Sequence, residues 1–269
     1  MSESVTVSEL KFSYGRHTVL QNISLSLPEH KISILLGANG CGKSTLLKNM
    51  CRVLRPEQGV ICLDGKRIWD YSSKELAVRM GLMPQSTIVP EGITVYDLVS
   101  RGRFPYRKPF QSLTKEDHQA VHEAMDMMNI SELADCVVDE LSGGQRQRVW
   151  IALALAQDTD ILFLDEPTTF LDIQYQIEIL DLLSDLNRSK GTTIVMVLHD
   201  INLSARYADH IFALRKGEIV AQGTPKDILT EERINQVYGI ECRIIEDPVS
   251  HSPMILPIGR HGMKKKIRK

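Results

Sequence analysis

The sequence lacks any apolar segment long enough to cross a membrane. Its longest uninterrupted apolar run covers residues 149–156, whereas a membrane-spanning helix needs about 20 such residues. The amino terminus also lacks the basic start and apolar core of a secretory leader. We therefore expect a cytoplasmic protein that contributes no membrane span of its own.

Paired cysteines and a strong net charge are missing as well. The five cysteines are scattered and include no C-x-x-C pair, which argues against a disulfide framework and against a zinc site. A formal net charge of -2 gives no global positive field, so we expect no nucleic-acid partner. The one run of like charge, residues 264–269, is either a solvated end or a patch attracted to lipid.

The composition is that of a globular protein, with 43% hydrophobic and 25% charged residues in a chain of 269. Alternating apolar residues predict antiparallel strands around Val5 and Ile23, and residues 32–36 predict a buried strand. A glycine-rich loop follows this strand, and residues 44–53 then predict a helix. The order is therefore strand, glycine loop, helix.

Helical periodicity dominates from about residue 94 to residue 141, where Thr114 and Ser131 are candidate helix caps. Apolar runs at residues 161–164 and 192–198 predict two more buried strands. The helix between them is expected to carry one apolar side, formed by Ile173, Ile177 and Leu180.

This alternation predicts an α/β fold of the P-loop NTPase class. We expect a mainly parallel core sheet, an antiparallel amino-terminal sheet and an inserted helical lobe. Residues 1–269 would form a single domain. Its core lobe would comprise residues of about 1–85 and 160–240, its helical lobe about 86–159, and a short carboxyl-terminal extension about 240–269.

The glycine loop, called the phosphate loop below, covers residues 37–45 and matches the pattern G-x-x-x-x-G-K-[ST]. Its backbone amides can curl around phosphate oxygens, and the following helix end adds a favourable dipole. Lys43 is expected to reach the β- and γ-phosphates, and Ser44 to ligate magnesium. The candidate ATP-binding residues of this loop are Gly37, Ala38, Asn39, Gly40, Cys41, Gly42, Lys43, Ser44 and Thr45.

Two acids follow the predicted strand at residues 161–164. Asp165 would lie near magnesium, and Glu166 near the γ-phosphate as the base that orients the attacking water. On their own they could equally be solvated acids after a strand. The presence of the phosphate loop favours the catalytic interpretation.

A second anion site is predicted at the motif Leu-Ser-Gly-Gly-Gln. A helical run follows the motif, so Ser142 would lie at a helix amino terminus with its hydroxyl and free amides facing outward. The chain would thus carry two phosphate-binding helix ends about a hundred residues apart. The candidate residues of this second site are Ser142, Gly143, Gly144 and Gln145.

Together these motifs resemble the nucleotide-binding domain of ABC ATPases, over residues 5 to about 230. The resemblance implies that two copies pack head to tail, with ATP and magnesium held between the phosphate loop of one copy and residues 141–145, the signature motif, of the other. It also implies an integral membrane permease as partner, a substrate-binding protein as indirect partner, and a location at the cytoplasmic face of the cell membrane.

The resemblance implies further roles. Gln85 would link magnesium and the attacking water to the helical lobe, and His199 would contact the γ-phosphate and hold Glu166. Asp172 would lie in the loop that crosses the dimer interface, where Phe170 departs from the small residue more usual there. Tyr14 would stack on adenine, although an ordinary exposed tyrosine remains an alternative.

Cys41 occupies a loop position where serine is more usual in this family. A thiol at a helix amino terminus beside Lys43 is expected to have a depressed pKa. Alkylation would then inactivate the protein, and ATP would protect it.

Several segments resemble the ATPases of ferric siderophore importers, and heme and cobalamin importers share much of the pattern. These segments are residues 101–106, the helix containing Trp150, residues 198–202 followed by 205–207, and residues 239–242 with 247–249. An ABC ATPase acting on DNA or ribosomes is a rival, but its usual coiled coil, zinc hook or second domain is missing. A pure nucleotide-binding module is another, opposed by Asp165, Glu166 and His199.

Overall fold

The computed structural model describes residues 3–85, 89–108, 111–169 and 171–259. In this part of the chain the strands are β1 (Glu3–Tyr14), β2 (His17–Pro28), β3 (Ile32–Leu36), β4 (Gln58–Leu63), β5 (Lys66–Arg67), β6 (Met80–Met83), β7 (Ile161–Asp165), β8 (Thr193–Val197), β9 (His210–Arg215), β10 (Glu218–Gly223), β11 (Cys242–Glu246) and β12 (Pro253–Pro257). Phe170 and the basic run at residues 264–269 lie outside the described residues.

The helices connect these strands and fill the middle of the chain. They are α1 (Lys43–Met50), α2 (Ser73–Ala77), α3 (Val95–Ser100), α4 (Lys115–Met127), α5 (Gly143–Ala156), α6 (Ile173–Lys190), α7 (Ile201–Tyr207), α8 (Pro225–Ile228) and α9 (Glu231–Tyr238). Short 3-10 helices cover Ile68–Asp70, Arg101–Tyr106, Ser131–Leu133 and Val138–Glu140. No helix within the described ranges combines the length and apolar character that a bilayer crossing requires.

The amino-terminal sheet is antiparallel, as predicted, with strand order β2-β1-β4-β5. Val5 and Val7 of β1 are buried and pair with Leu27 and Leu25 of β2. The alternation of buried and exposed residues therefore places one face of this sheet in the core.

The central sheet has six strands in the order β10-β9-β3-β8-β7-β6. Strands β9, β3, β8, β7 and β6 pair in parallel, and the edge strand β10 is antiparallel to its neighbour. The prediction of a mainly parallel sheet is confirmed. Because parallel strands end at the same edge, the segments after β3, β7 and β8 lie side by side.

Both faces of the central sheet are covered. In β7, Ile161 and Phe163 belong to the apolar cluster shared with the amino-terminal sheet and α1. Leu162 and Leu164 belong to a second cluster, shared with α5 and α6. All five residues of β7 are buried, as expected for a strand in a sheet covered on both sides.

Two details of the helix predictions need correction. Helix α1 ends at Met50 and not near residue 53, because the backbone leaves helical geometry and Arg52 has a φ of 59°. Ser131 is not a cap: it lies within a 3-10 helix, and its hydroxyl donates to the Asp126 carboxylate. Thr114, in contrast, caps α4 as predicted.

The predicted apolar side of α6 is also wrong for its first residue, Ile173. Ile173 is 76% exposed, because it is the first residue of the helix and lies beyond the core. The buried residues of α6 are Ile179, Leu180 and Leu183.

A carboxyl-terminal segment, defined here as α9 and the hairpin β11–β12, packs back onto the central sheet. Ile234 and Val237 of α9 and Ile255 of β12 are buried in the second cluster. The side chain of Asn202 on α7 accepts the Ile255 N–H at 2.8 Å and donates to its carbonyl oxygen at 3.3 Å. The hairpin is thus fixed to the helix that follows β8.

A buried ion pair joins the helices of the middle region. The Arg103 Nε donates to Asp117 Oδ1 at 2.9 Å, and Arg103 Nη1 donates to the Ala156 carbonyl oxygen at 2.9 Å. Burial raises the pKa of Asp117, but hydrogen bonds from Thr114 and Arg103 outweigh this effect and hold the pKa below its usual value. Arg103 therefore connects the segment after α3 to both α4 and α5.

We expect Arg103→Met to lower the free energy of unfolding by about 3–5 kcal/mol, because it leaves the Asp117 carboxylate buried without its cation. Urea denaturation of the purified variant measures this change. Arg243→Met is the control, since Arg243 pairs with Glu231 at the exposed surface and should have little effect. Equal losses in the two variants would contradict the assignment of Arg103 as a buried support.

Candidate functional site

The phosphate loop begins where β3 ends and is shaped by two glycines. Gly37 has a φ of 153°, and a Cβ there would lie 2.3 Å from the Leu214 carbonyl oxygen. Gly42 has a φ of 107° and precedes α1 with no side-chain cap, so the first amides of α1 are available to an anion. Lys43 is buried, and its Nζ donates to the carbonyl oxygens of Gly37 at 2.7 Å and Ala38 at 3.2 Å.

Asp165 ends β7 and faces the start of α1. Its Oδ1 accepts a hydrogen bond from Ser44 Oγ at 2.7 Å, while its buried Oδ2 has no hydrogen-bond partner among the described residues. Burial raises the pKa of Asp165, and the Ser44 hydrogen bond opposes this shift. An unpartnered buried carboxylate oxygen beside a serine hydroxyl fits magnesium, which takes oxygen ligands and is often held by few protein groups together with phosphates.

Glu166 and His199 meet at the same edge of the sheet. The His199 Nε2 and Glu166 Oε1 are 2.8 Å apart, and Thr169 Oγ1 donates to Glu166 Oε2 at 3.2 Å. The backbone of Glu166 has a φ of 60°, a conformation that non-glycine residues adopt at a cost. Both carboxylate oxygens of Glu166 therefore have a fixed direction.

A cleft of about 510 Å³ is lined by the phosphate loop together with Glu166 and His199. It contains residues from the amino-terminal sheet, the phosphate loop and the ends of three central strands. Its lining residues are Tyr14, Val19, Asn39, Gly40, Gly42, Lys43, Ser44, Thr45, Gln85, Glu166 and His199. The cleft is therefore where the structure brings together most of the residues predicted for the phosphate loop and for catalysis.

Tyr14 and Gln85 lie at the border of this cleft. Tyr14 is 51% exposed and makes an edge-to-face contact with Phe12, with ring centroids 4.9 Å apart. Gln85 is exposed and follows β6. Either side chain can contact a ligand in the cleft without losing a buried partner, but stacking of Tyr14 on adenine stays a prediction.

The signature residues and Asp172 are not among the described residues that line this cleft. Ser142 is the cap of α5: its Oγ accepts the Gln145 N–H at 3.3 Å, and Gln145 Oε1 accepts the Ser142 N–H at 3.0 Å. Asp172 caps α6 by accepting the Tyr175 N–H at 3.1 Å. The prediction that Ser142 lies at a helix amino terminus is confirmed. In the single chain its hydroxyl oxygen accepts the Gln145 N–H, and its role in binding an anion stays a prediction.

Sequence reasoning missed two contacts at the site. Gln147 Nε2 donates to the carbonyl oxygens of Pro167 at 2.9 Å and Glu166 at 3.4 Å, which joins α5 to the segment after β7. The Gly37 N–H donates to the hydroxyl of Tyr238 at 3.1 Å. The position of Gln147 shortly after the signature motif is a sequence signal that could have indicated a role at the site. No sequence pattern relates Tyr238 to a loop about 200 residues away.

The expectation of a depressed pKa for Cys41 is wrong. Its side chain is only 6% exposed and lies against Gly37, where a Cβ would be 2.6 Å from the Cys41 Sγ. Burial raises the pKa of the Cys41 thiol, and the nearby Lys43 charge offsets this only in part. The sequence indicates the Lys43 charge and the helix amino terminus beside Cys41. It does not indicate that the Cys41 sulfur is buried away from solvent.

We expect Cys41 to be alkylated more slowly at pH 7.5 than the half-buried Cys62 and Cys136, because attack requires an accessible thiolate. Mass spectrometry of peptides after timed exposure to iodoacetamide measures the three rates. Cys41→Ser provides the control for peptide assignment. Preferential labelling of Cys41, with protection by ATP, would instead restore the reactive-thiol interpretation.

The chain is similar in sequence to known proteins over the segment that contains the phosphate loop and the two acids. Residues 20–169 match the sequence model of a family described as ABC transporter. The chain is 51% identical over 263 residues to the ferric enterobactin transport ATP-binding protein FepC of Escherichia coli (strain K12), covering 97% of each chain. It is 48% identical to the achromobactin transport ATP-binding protein CbrD of Dickeya dadantii (strain 3937), covering 96% of each.

A relative from another organism and two solved structures extend the comparison. The iron(3+)-hydroxamate import ATP-binding protein FhuC of Bacillus subtilis (strain 168) is 44% identical, with 94% of each chain covered. An ABC transporter solved in an inward-facing conformation has a TM-score of 0.83 and 30% identity, covering 96% of this chain and 99% of that one. The dimeric ATP-binding cassette MJ0796 bound to ADP and Pi has a TM-score of 0.72 and 30% identity, covering 82% and 98%.

Proposed function

The chain belongs to the ABC transporter family, and on this premise we propose that it is the ATP-hydrolysing subunit of an importer of ferric siderophores. The observation that carries the proposal is the meeting of Glu166 and His199 with the phosphate loop in one cleft. A module that only binds nucleotide has no need of an oriented carboxylate beside the phosphate site.

We assign nucleotide and metal binding to the phosphate-loop side of the cleft. Lys43 would exchange its two loop carbonyl oxygens for phosphate oxygens, and the uncapped amides of α1 would add further donors. Ser44, Asp165 and Gln85 would hold magnesium, which neutralises charge on the β- and γ-phosphates when bound. The unpartnered Oδ2 of Asp165 supports this assignment.

Glu166 is assigned as the base that accepts a proton from the attacking water. A carboxylate has about four lone-pair directions, so the contacts to His199 and Thr169 leave Glu166 able to accept another hydrogen bond. His199 would hold Glu166 in place and contact the γ-phosphate. Its position after β8 supports both roles, because β8 and β7 end at the same edge.

The signature motif is assigned to the cleft of a second copy. Ser142 and Gly143 are exposed, and neither lines the cleft among the described residues. A partner copy would therefore supply Ser142, Gly143, Gly144 and Gln145, with Asp172 at the interface. The 82% of this chain that matches the dimeric cassette MJ0796 supports such an arrangement.

We expect Glu166→Gln to lower the rate of ATP hydrolysis by about a hundredfold to ten-thousandfold and to accumulate an ATP-bound dimer. Phosphate release and light scattering after size exclusion measure the two effects. Glu178→Gln is the matched control, since it removes the same charge from α6, where Glu178 forms a partly exposed pair with Arg148 of α5. A monomeric Glu166→Gln protein that still hydrolyses ATP at saturating magnesium and ATP would show that the base and the shared site are both misassigned.

The proposed location is the cytoplasmic face of the cell membrane, where an integral permease would hold the subunit. The division into a core lobe and a helical lobe of about residues 86–159 remains part of this proposal, with the helical lobe facing the permease. A substrate-binding protein would deliver cargo to the permease without touching this chain.

The choice of ferric siderophore as cargo is supported by the named roles of the three relatives at 51%, 48% and 44% identity. The cleft itself recognises nucleotide, so it carries no information about the transported molecule. Sequence segments outside the catalytic motifs, such as residues 101–106, carry the likeness instead.

We expect deletion of the gene, in a strain without a redundant ATPase, to abolish uptake of labelled ferric siderophores and to leave heme and cobalamin uptake unchanged. Parallel uptake assays measure the three cargoes, and complementation with the intact gene is the control. Normal siderophore uptake together with loss of heme or cobalamin uptake would overturn the iron assignment. It would leave the assignment of ATP hydrolysis standing.

A further inference from the structure

The last residue of α9 touches the first residue of the phosphate loop. The hydroxyl oxygen of Tyr238 accepts the Gly37 N–H at 3.1 Å. Helix α9 packs against the core through the buried side chains of Ile234 and Val237. Arg233 Nη1 also donates to the Val220 carbonyl oxygen at 3.4 Å. Tyr238 therefore presents its hydroxyl from a fixed support.

Hydrogen bonds hold both peptide groups that flank Gly37. Its N–H, which belongs to the peptide after Leu36, donates to Tyr238. Its carbonyl oxygen, which belongs to the next peptide, accepts from Lys43 Nζ at 2.7 Å. Because Gly37 has no side chain and a φ of 153°, these hydrogen bonds and the crowding by Leu214 and Cys41 fix its orientation.

The chemistry of the Tyr238 hydroxyl suits this contact. Burial raises the pKa of Tyr238 to about 12, and the hydrogen bond from Gly37 only partly opposes the shift. The hydroxyl is therefore neutral at physiological pH and keeps a lone pair for the Gly37 N–H without placing a negative charge beside a phosphate site. A phenylalanine would fill nearly the same space but would leave that buried N–H without its partner.

The carboxyl-terminal segment also contacts α7, the helix that follows His199. Its hairpin is bonded through Ile255 to Asn202 on α7, the helix that begins two residues after His199. The segment thus connects the start of the phosphate loop with the helix that follows the catalytic histidine. This continuity makes α9 a suitable support for the loop.

We propose that Tyr238 is a positioning residue for ATP binding, which orients the first peptide of the phosphate loop so that the loop amides and Lys43 face the nucleotide phosphates. The proposal rests on the proposed function as a nucleotide-binding ATPase. It assigns to Tyr238 a role in nucleotide affinity and none in the chemical step, since its hydroxyl bonds to the backbone of the loop and Tyr238 is not among the described residues that line the cleft.

The test substitution is Tyr238→Phe, with Tyr71→Phe as the matched control. The Tyr71 hydroxyl also bonds to the backbone, donating to the Leu63 carbonyl oxygen at 3.0 Å, but in the amino-terminal sheet and away from the cleft. We expect Tyr238→Phe to raise KM for magnesium ATP and Kd for ADP about fivefold, the size expected for one neutral hydrogen bond. The value of kcat should stay within about twofold of the unsubstituted protein.

A direct readout is hydrogen exchange of the Gly37 amide. The sequence contains Leu-Gly as a dipeptide only at residues 36 and 37, so isotope labelling of leucine carbonyl carbon and glycine nitrogen selects this amide in an NMR spectrum. We expect its exchange to accelerate in Tyr238→Phe and to stay unchanged in Tyr71→Phe. This readout does not depend on catalysis.

The outcomes separate the proposal from its alternatives. Unchanged Gly37 exchange, or KM and Kd shifts no larger than those of Tyr71→Phe, would overturn it. A fall in kcat at constant KM would also overturn it, because the residue would then act in the chemical step. If the unsubstituted protein hydrolyses no ATP, the proposed function fails, and ADP affinity with Gly37 exchange still decides the role of Tyr238.

Discussion

Parallel pairing of β8 with both β3 and β7 is the constraint on which the site depends. It places the phosphate loop, the two acids and His199 at one edge of the central sheet, although they are far apart in the sequence. Ser44 then bonds to Asp165 at 2.7 Å, and His199 approaches Glu166 to 2.8 Å. A shift of one residue in β7 would exchange its two faces and direct Phe163 into the wrong cluster. Strand register and site geometry are therefore fixed by the same packing.

Packing also determines the chemical character of the phosphate loop. The loop lies over a crowded base formed by Gly37, Cys41 and Leu214. This crowding leaves no room for a side chain at Gly37, and it removes solvent from the Cys41 thiol, whose pKa rises in consequence. The same burial holds Lys43 against the loop carbonyl oxygens. One face of the loop is thus buried, while the other opens into the cleft.

The two helix ends with phosphate-binding motifs differ within the single chain. Helix α1 has no side-chain cap, and its amides face the cleft together with Ser44 and Thr45. Helix α5 is closed by the reciprocal bonds of Ser142 and Gln145 and is joined to the end of β7 through Gln147. The first end is prepared to bind an anion alone. At the second end Ser142 caps the Gln145 amide, and the exposed positions of Ser142 and Gly143 suit this end to meeting a site on another copy.

The sequence alone determined the fold class, the motifs and most of the residues that line the cleft, because apolar periodicity and glycine-rich motifs are local signals. It could also indicate Gln85 and His199, but only through resemblance to a family. Tertiary structure alone decided the burial of Cys41, the exposure of Ile173 and the contact of Tyr238 with Gly37. Solvent exclusion and hydrogen bonds across about 200 residues depend on how distant segments pack, and no local pattern in the sequence records that packing.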